Sequence, residues 1–260
     1  MKITKYYYIH RHNFQKGWSI GDLFNSLLFL LSEKRTNEKI ILLTHESFVP
    51  FVKCIFPDLI DEFVFNDNNN NFVSIHKDFV KLASIINAPL NLKINHRLLL
   101  NNNDKLLPNN SILLILNRSD QYLLNIDVTN IILKTCSNKN VYIRNVIDNH
   151  TYQKSYVKYN YCQSYEEDLM CLIESCMKRQ IKIIMNRCGL VDALGYITQI
   201  PIFILYPQTP NWIIDFNFSV HKGNKYLNEK MNPNITEYFI NNNNIDLEQK
   251  LNIFLNNNSD

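Results

Sequence analysis

The chain has 260 residues, of which 46% are hydrophobic and 20% are charged, and its formal net charge is +3. This composition predicts a globular protein with one large domain or two small ones. No long lysine or arginine block is present, which argues against nucleic acid as a partner, whereas the mild positive charge leaves a weak attraction to anionic membrane surfaces or phosphates open.

The first part of the chain alternates strand and helix patterns. The predicted elements are strands at residues 4–9, 39–43 and 60–65 and helices at residues 22–32, 48–56 and 79–86. The strands are short apolar runs rather than alternating ones, which indicates a sheet covered on both faces. Because each strand is followed by a helix, the pattern predicts parallel pairing through crossover connections.

The pattern starts again after residues 90–110, a segment with asparagine runs and a proline that we interpret as a connection. The predicted strands are 111–116, 140–143, 181–185 and 201–206, and the predicted helices are 165–179 and 190–198, with a helix or helix-like connection at 126–135. The tail holds a short element at 235–239 and an amphipathic helix at 247–255. The repeated alternation predicts an α/β protein with two Rossmann-like halves, residues 1–105 and residues 106–260.

The cysteines and the N-terminal segment predict the compartment. The six cysteines are scattered and form no CxxC pair, which predicts reduced and mostly buried thiols. The N-terminal segment has no apolar core typical of a secretory signal, and the apolar stretch at 23–31 is too short to span a bilayer. We therefore expect a cytoplasmic protein, with peripheral association at the inner face of the plasma membrane left open.

Glycine occurs only five times, and two of these residues, Gly17 and Gly21, lie in the turn that precedes Asp22. In open parallel sheets, ligands bind beyond the carboxyl ends of the strands, where this turn is expected. The composition favours Asp22 as the N-cap of the next helix, and a carboxylate facing a cleft is alternatively a general base. The residues that would line a cleft or contact an acceptor here are His10, His12, Trp18 and Gly21.

A second glycine turn, at residues 185–192, lies between a predicted strand and a predicted helix. The N–H groups and dipole at the start of such a helix attract phosphate, and the guanidinium of Arg187 would add paired donors. The alternative for residues 185–192 is a routine surface turn. Arg118, which follows the strand at 111–116, is likewise either an anion ligand or an exposed arginine. The candidate phosphate-binding residues are Arg118, Arg187, Cys188, Gly189 and Leu190, and further cleft candidates are Asp192 and Gln208.

The positions of Cys188 and of the histidines predict neither a cysteine nucleophile nor a metal site. No histidine is placed to form a dyad with Cys188, so a packed thiol is favoured over a nucleophile. The seven histidines are scattered and form no metal-binding motif, so no metal site is predicted.

The two turns resemble those of GT-B glycosyltransferases, particularly the ADP-heptose:lipopolysaccharide heptosyltransferase-like group. The early match is residues 20–27, where Gly21-Asp22 leads into a helix. The late match is residues 183–195 and 200–210, a strand, a glycine turn, a helix, and a strand that ends in a proline-containing loop. The group has an acid before its turn and a histidine three residues after the glycine. Here those places hold Arg187 and Asp192, which leaves the donor nucleotide open.

The resemblance implies two Rossmann-like domains that face each other, 1–105 on the acceptor side and 106–260 on the donor side. It implies that Asp22 is the catalytic base of an inverting, metal-independent transfer, and that the turn around Gly189 holds the donor diphosphate. The expected substrates are a nucleotide sugar, as co-substrate in place of a cofactor, and a bacterial surface glycan or glycolipid such as lipopolysaccharide.

Two alternatives stay open at this point. One is a polysaccharide pyruvyl transferase-like enzyme, whose family also has an early Gly-Asp turn and a late arginine-containing turn and which would use phosphoenolpyruvate. The other is a non-catalytic nucleotide-sugar-binding or scaffold protein.

Overall fold

The computed structural model describes residues 3–9, 20–65, 72–75, 92, 94–95, 97, 106–116, 124–143, 157–158, 165–186, 189–206, 232–240 and 244–257. Within these residues the fold is α/β, with two sheets in which all paired strands are parallel. The predicted α/β class with parallel strands is thereby confirmed.

The first sheet contains strands β1 to β4 in the spatial order β3-β2-β1-β4. These strands are β1 (Ile3–Ile9), β2 (Glu38–Leu43), β3 (Glu62–Val64) and β4 (Val73–Ile75). Helix α1 (Ile20–Glu33) connects β1 to β2, and helix α2 (Val49–Ile55), preceded by a 3-10 turn at Glu46–Phe48, connects β2 to β3.

The second sheet contains strands β5 to β10 in the spatial order β10-β9-β8-β5-β6-β7. These are β5 (Ser111–Ile115), β6 (Asn140–Ile143), β7 (Val157–Lys158), β8 (Ile181–Asn186), β9 (Ile202–Tyr206) and β10 (Ile235–Phe239). The helices of this part are α3 (Ile126–Thr135), α4 (Tyr165–Lys178), α5 (Gly189–Thr198) and α6 (Leu247–Asn256). Counted from β5, the strand order is 3-2-1-4-5-6, the order of doubly wound dinucleotide-binding sheets.

Two strands were absent from the sequence prediction. Strand β4 has three residues and β7 has two, and so few residues show no hydrophobic periodicity. The element expected at 235–239 is the edge strand β10, and the helix predicted at 79–86 lies outside the described residues. The domain boundary predicted near residue 105 falls between the last strand of the first sheet and the first strand of the second.

Side chains from both sheets meet in one apolar cluster, which we call the inter-sheet core. It contains Leu27, Ile40 and Phe51 from the first part of the chain, together with Leu113, Ile183 and Leu194 from the second. Helix α1 packs on α5 within this core, and the ring of Phe24 lies 6.1 Å from the ring of Tyr196. The two sheets are therefore held together by buried apolar surface, which is the dominant stabilising contribution in most domains.

A separate apolar cluster, the outer core, covers the opposite face of the second sheet. Residues of β5, β8 and β9 that point away from the inter-sheet core pack here on α3 and α6, among them Leu114, Ile184, Phe203, Val128 and Leu251. All residues of β5 and β9 are consequently buried, which explains why these strands are continuous apolar runs in the sequence.

Gly195 lets α5 approach the second sheet closely. A Cβ at this position would lie 3.1 Å from Cδ1 of Ile202 and 3.1 Å from Cδ1 of Ile235. The buried amide of Asn232 donates hydrogen bonds to the carbonyls of Gly195 (2.9 Å) and Ile200 (3.0 Å). The middle of α5 is therefore fixed over the first residues of β9 and β10.

Lys182, on β8, holds the C-terminal end of α6. Its Nζ donates hydrogen bonds to the carbonyls of Phe254 (3.0 Å), Leu255 (2.8 Å) and Asn257 (2.7 Å). The last carbonyls of a helix have no partner within the helix, so one ammonium group satisfies three of them.

Replacing Lys182 with methionine should lower the free energy of unfolding by about 1.5–3 kcal/mol, the usual value of hydrogen bonds to a charged group. Methionine keeps the apolar stem but donates no hydrogen bond. Urea unfolding followed by circular dichroism measures the change. The matched control is Lys134→Met, which breaks only an exposed ion pair with Glu248 at 3.7 Å and should cost less than about 1 kcal/mol. Equal losses in the two variants would show that Lys182 is not a helix cap.

In the described part of the chain, no helix combines the length and the apolar character needed to cross a lipid bilayer.

Candidate functional site

The strand order places a topological switch point in the second sheet between β5 and β8. The chain adds β6 and β7 on one side of β5, and then adds β8, β9 and β10 on the other side. The strands pair up to their carboxyl ends, where Ile115 is the partner of Met185. Open α/β sheets bind ligands outside the carboxyl ends of the strands at such a point. This edge of the sheet is therefore the first part of the candidate site.

Helix α5 begins at this edge. Gly189 and Leu190 are its first two residues and Asp192 its fourth, so these three candidates lie in its first turn or directly after it. The N–H groups of a first helical turn have no partner within the helix, and together with the helix dipole they favour an anion. Four other candidates predicted for this edge lie outside the described residues: Arg118, Arg187, Cys188 and Gln208.

The first sheet has an equivalent switch point between β1 and β4, where Ile9 is the partner of Ile75. The candidates His10, His12 and Trp18 follow β1 in the sequence and lie outside the described residues. Helix α1 begins at Ile20, so Gly21 and Asp22 are its second and third residues. The expectation that Asp22 is the N-cap is therefore wrong, because the helix starts two residues earlier than the apolar pattern predicted.

The packing of α1 on α5 relates the two helix starts to each other. Phe24 contacts Tyr196, and Phe24 lies two residues after Asp22 whereas Tyr196 lies seven residues after Gly189. Seven residues span about 10 Å along a helix, and packed helices have axes 8–10 Å apart. The first turns of α1 and α5 therefore lie within about two helical turns of this contact.

Two buried polar residues lie at the carboxyl ends of strands. Asn186 is the last residue of β8, and Thr44 follows β2; both side chains are almost fully buried. The hydroxyl of Thr44 forms no hydrogen bond within the described part of the chain. Buried polar atoms are rarely left without hydrogen bonds, so a water molecule or a ligand group is expected to satisfy this hydroxyl.

An aromatic pair lies at the same carboxyl edge of the second sheet, at the ends of β9 and β10. Tyr206 and Phe239 are the last residues of these strands, pair in register, and stack with ring centroids 4.6 Å apart and planes 12° from parallel. The Tyr206 hydroxyl donates a hydrogen bond to Oε1 of Glu237. The sequence interpretation missed this pair, because residue 206 was only assigned to the end of a strand and 235–239 to a short element. Aromatic residues at the ends of two successive strands were the available signal.

Burial makes two of the described cysteines poor nucleophiles. Cys54, Cys136, Cys171 and Cys176 are buried and form no disulfide, as their scatter predicted, whereas Cys162 and Cys188 lie outside the described residues. Burial raises the pKa of Cys54 to about 11 and the pKa of Cys136 to about 12. Both thiols are therefore protonated at neutral pH, and only the thiolate is reactive.

Two other features lie in the described part of the chain. Its His, Cys, Asp and Glu side chains form no group of three that could hold a metal ion.

An open groove of about 670 Å³ runs along α6, where it is lined by Ile245, Glu248, Asn252, Ile253 and neighbouring residues. Because α6 packs on the outer core, this groove is on the opposite face of the sheet from α5 and is not part of the candidate site.

Comparison of the chain with models of known protein families, with curated proteins and with solved structures found no match.

Proposed function

We propose that this protein is a glycosyltransferase that transfers a sugar from a nucleotide-sugar donor to a bacterial surface-glycan or glycolipid acceptor. The observation that carries the proposal is the pairing of β5 with β8 at the switch point of the second sheet. Arg118 and Arg187 follow these two strands in the sequence, and α5 begins two residues after Arg187. This combination of arginines and a helix start suits the diphosphate of a nucleotide sugar.

The proposal includes two Rossmann-like domains, residues 1–105 and 106–260, that face each other across the substrate. Each part of the chain supplies its own parallel sheet with its own switch point, which supports this arrangement. The acceptor then binds at the start of α1 and the donor at the start of α5.

In the proposed reaction, the carboxylate of Asp22 accepts the proton of the acceptor hydroxyl. The hydroxyl oxygen forms a bond to the anomeric carbon while the bond from that carbon to the diphosphate oxygen breaks, which inverts the configuration. Arg187, Arg118 and the N–H groups at the start of α5 stabilise the negative charge on the leaving diphosphate. These groups perform the charge stabilisation without a metal ion.

Thermal-shift measurements with UDP-, GDP-, ADP- and CMP-sugars test the donor class, because a ligand that binds only the folded protein raises its melting temperature. We expect one nucleotide class to raise the melting temperature. A shift with phosphoenolpyruvate and with no nucleotide sugar would instead support a pyruvyl transferase. Binding of a nucleotide sugar without transfer to any acceptor would support a scaffold protein.

Replacing Arg187 with alanine should weaken donor binding by roughly 10- to 100-fold, the value of one or two hydrogen bonds from a charged donor. Isothermal titration calorimetry with the donor found in the screen measures the dissociation constant. The control is Arg35→Ala. Arg35 is exposed and precedes β2, so it lies at the amino-terminal edge of the first sheet, whereas the candidate site lies at the carboxyl ends of the strands. Unchanged donor affinity in Arg187→Ala would remove this arginine from the phosphate site.

A further inference from the structure

Thr44 continues strand β2 at the carboxyl edge of the first sheet. Its N–H donates a hydrogen bond to the carbonyl of Val64 at 3.0 Å, so the pairing of β2 with β3 extends through this residue. Side chains alternate between the two faces of a strand, and those of Ile40 and Leu42 belong to the inter-sheet core. Thr44 therefore lies on the face of the first sheet that α1 and α2 cover, since residues of both helices belong to the same core.

Thr44 is also next to the switch point of the first sheet. Tyr8 is the register partner of Leu43, so Ile9, the following residue of β1, lies beside Thr44. Ile9 is in turn the partner of Ile75 on β4, and the switch point is between β1 and β4. Neighbouring strands are about 5 Å apart, which places Thr44 one strand spacing from the strand that borders the switch point.

The hydroxyl of Thr44 lowers the stability of the ligand-free protein. Thr44 is 0% exposed, and its hydroxyl forms no hydrogen bond within the described part of the chain. Valine has the same shape and would bring no polar atom that needs a partner. An internal water molecule needs about two to four polar partners, whereas Leu42 and Ile75, on the same face, are apolar. A hydroxyl that costs stability at this edge indicates a partner that is present only when a ligand is bound.

We infer that Thr44 is a binding residue of the acceptor subsite, where its hydroxyl forms a hydrogen bond with a non-reacting hydroxyl of the acceptor sugar. The inference rests on the proposed function, because it names a group that contacts the acceptor. A sugar hydroxyl donates and accepts hydrogen bonds, as the hydroxyl of threonine does, so the two are complementary. Thr44 is fully buried without a ligand, so the acceptor reaches it by displacing the groups that cover it at the carboxyl edge.

Calorimetric melting of the ligand-free protein tests whether the hydroxyl lacks a partner. Thr44→Val should raise the melting temperature by about 2–4 °C, because it removes a buried polar atom that has no hydrogen bond. The matched control is Thr129→Val. Thr129 is 5% exposed, but its hydroxyl donates a hydrogen bond to the carbonyl of Asn125 at 3.2 Å, so this substitution should lower the melting temperature.

Transfer kinetics test whether the acceptor is the partner. The assay uses the donor found in the thermal-shift screen and a panel of bacterial surface glycans that includes lipopolysaccharide. Thr44→Val should raise the KM for the acceptor by roughly 3- to 10-fold, the value of one neutral hydrogen bond. The kcat and the KM for the donor should stay unchanged, because the bond is made equally before and during the reaction. Thr44→Ser keeps the hydroxyl and should keep the wild-type KM, as should Thr129→Val.

The outcomes separate this inference from the proposed function. A melting temperature that stays the same or falls in Thr44→Val would show that the hydroxyl already has a partner in the free protein, which overturns the inference. An unchanged KM for the acceptor overturns it as well, and in both cases the glycosyltransferase proposal stands. If the wild-type protein transfers a sugar to no member of the panel, both proposals are overturned.

Discussion

Replacing Phe24 with alanine is expected to lower the free energy of unfolding by about 3–5 kcal/mol, the usual cost of deleting a buried phenyl ring. Phe24 is fully buried, and its ring centroid lies 6.4 Å from that of Phe51, 5.6 Å from that of Phe56 and 6.1 Å from that of Tyr196. The first two rings belong to the first part of the chain and Tyr196 belongs to α5. The cavity would therefore weaken both the first unit and its attachment to the second sheet.

Equilibrium unfolding in urea, followed by circular dichroism, measures this loss. Phe29→Ala is the matched control, because Phe29 is on the same helix but only partly buried, and its loss should be clearly smaller. If the two units share one core, the Phe24→Ala transition should remain a single step at lower urea concentration. A loss below about 1 kcal/mol would mean that Phe24 does not sit in a close-packed core.

Replacing Asp22 with asparagine is expected to lower the rate of sugar transfer by roughly 10²- to 10⁴-fold, the usual contribution of a general base. Asparagine has nearly the same shape but accepts no proton at neutral pH. Donor binding should persist, because the donor diphosphate is proposed to bind at α5. The measurement is a transfer assay with the donor found in the thermal-shift screen and a surface-glycan acceptor.

The control for Asp22→Asn is Glu33→Gln, the same change from carboxylate to amide at the other end of α1. Glu33 is exposed and in the last turn of the helix, so its replacement should leave transfer unchanged. A first-turn carboxylate also stabilises the helix through its interaction with the helix dipole, by about 0.3–1 kcal/mol. The unfolding free energies of both variants should therefore be measured together with their transfer rates. Near-normal transfer by Asp22→Asn would remove the base assignment and leave Asp22 a helix-stabilising residue.

The candidate site was predictable only in outline. The glycines beside strand ends predicted functional turns at residues 17–22 and 185–192, and helices α1 and α5 begin within these ranges. Neither the strand order nor the aromatic pair was predictable, because both depend on which strands become neighbours. The first residue of α1 was also misjudged, because Gly21 was assigned to the preceding turn although Ile20 continues the helical spacing of Leu23 and Leu27.

The sequence by itself determined most of the described elements and their type; helix α3 and strand β6, for example, begin and end at the predicted residues. Hydrophobic periodicity and caps act over a few neighbouring residues, so the chain encodes them locally; the side chain of Asn125, for example, accepts the first-turn N–H of Asp127 at 3.0 Å. Only the tertiary structure decided that β5 pairs with β8, that Phe24 packs on Tyr196, and that Phe239 stacks on Tyr206. These contacts join residues far apart in the chain, and they form because several apolar faces must be buried at the same time.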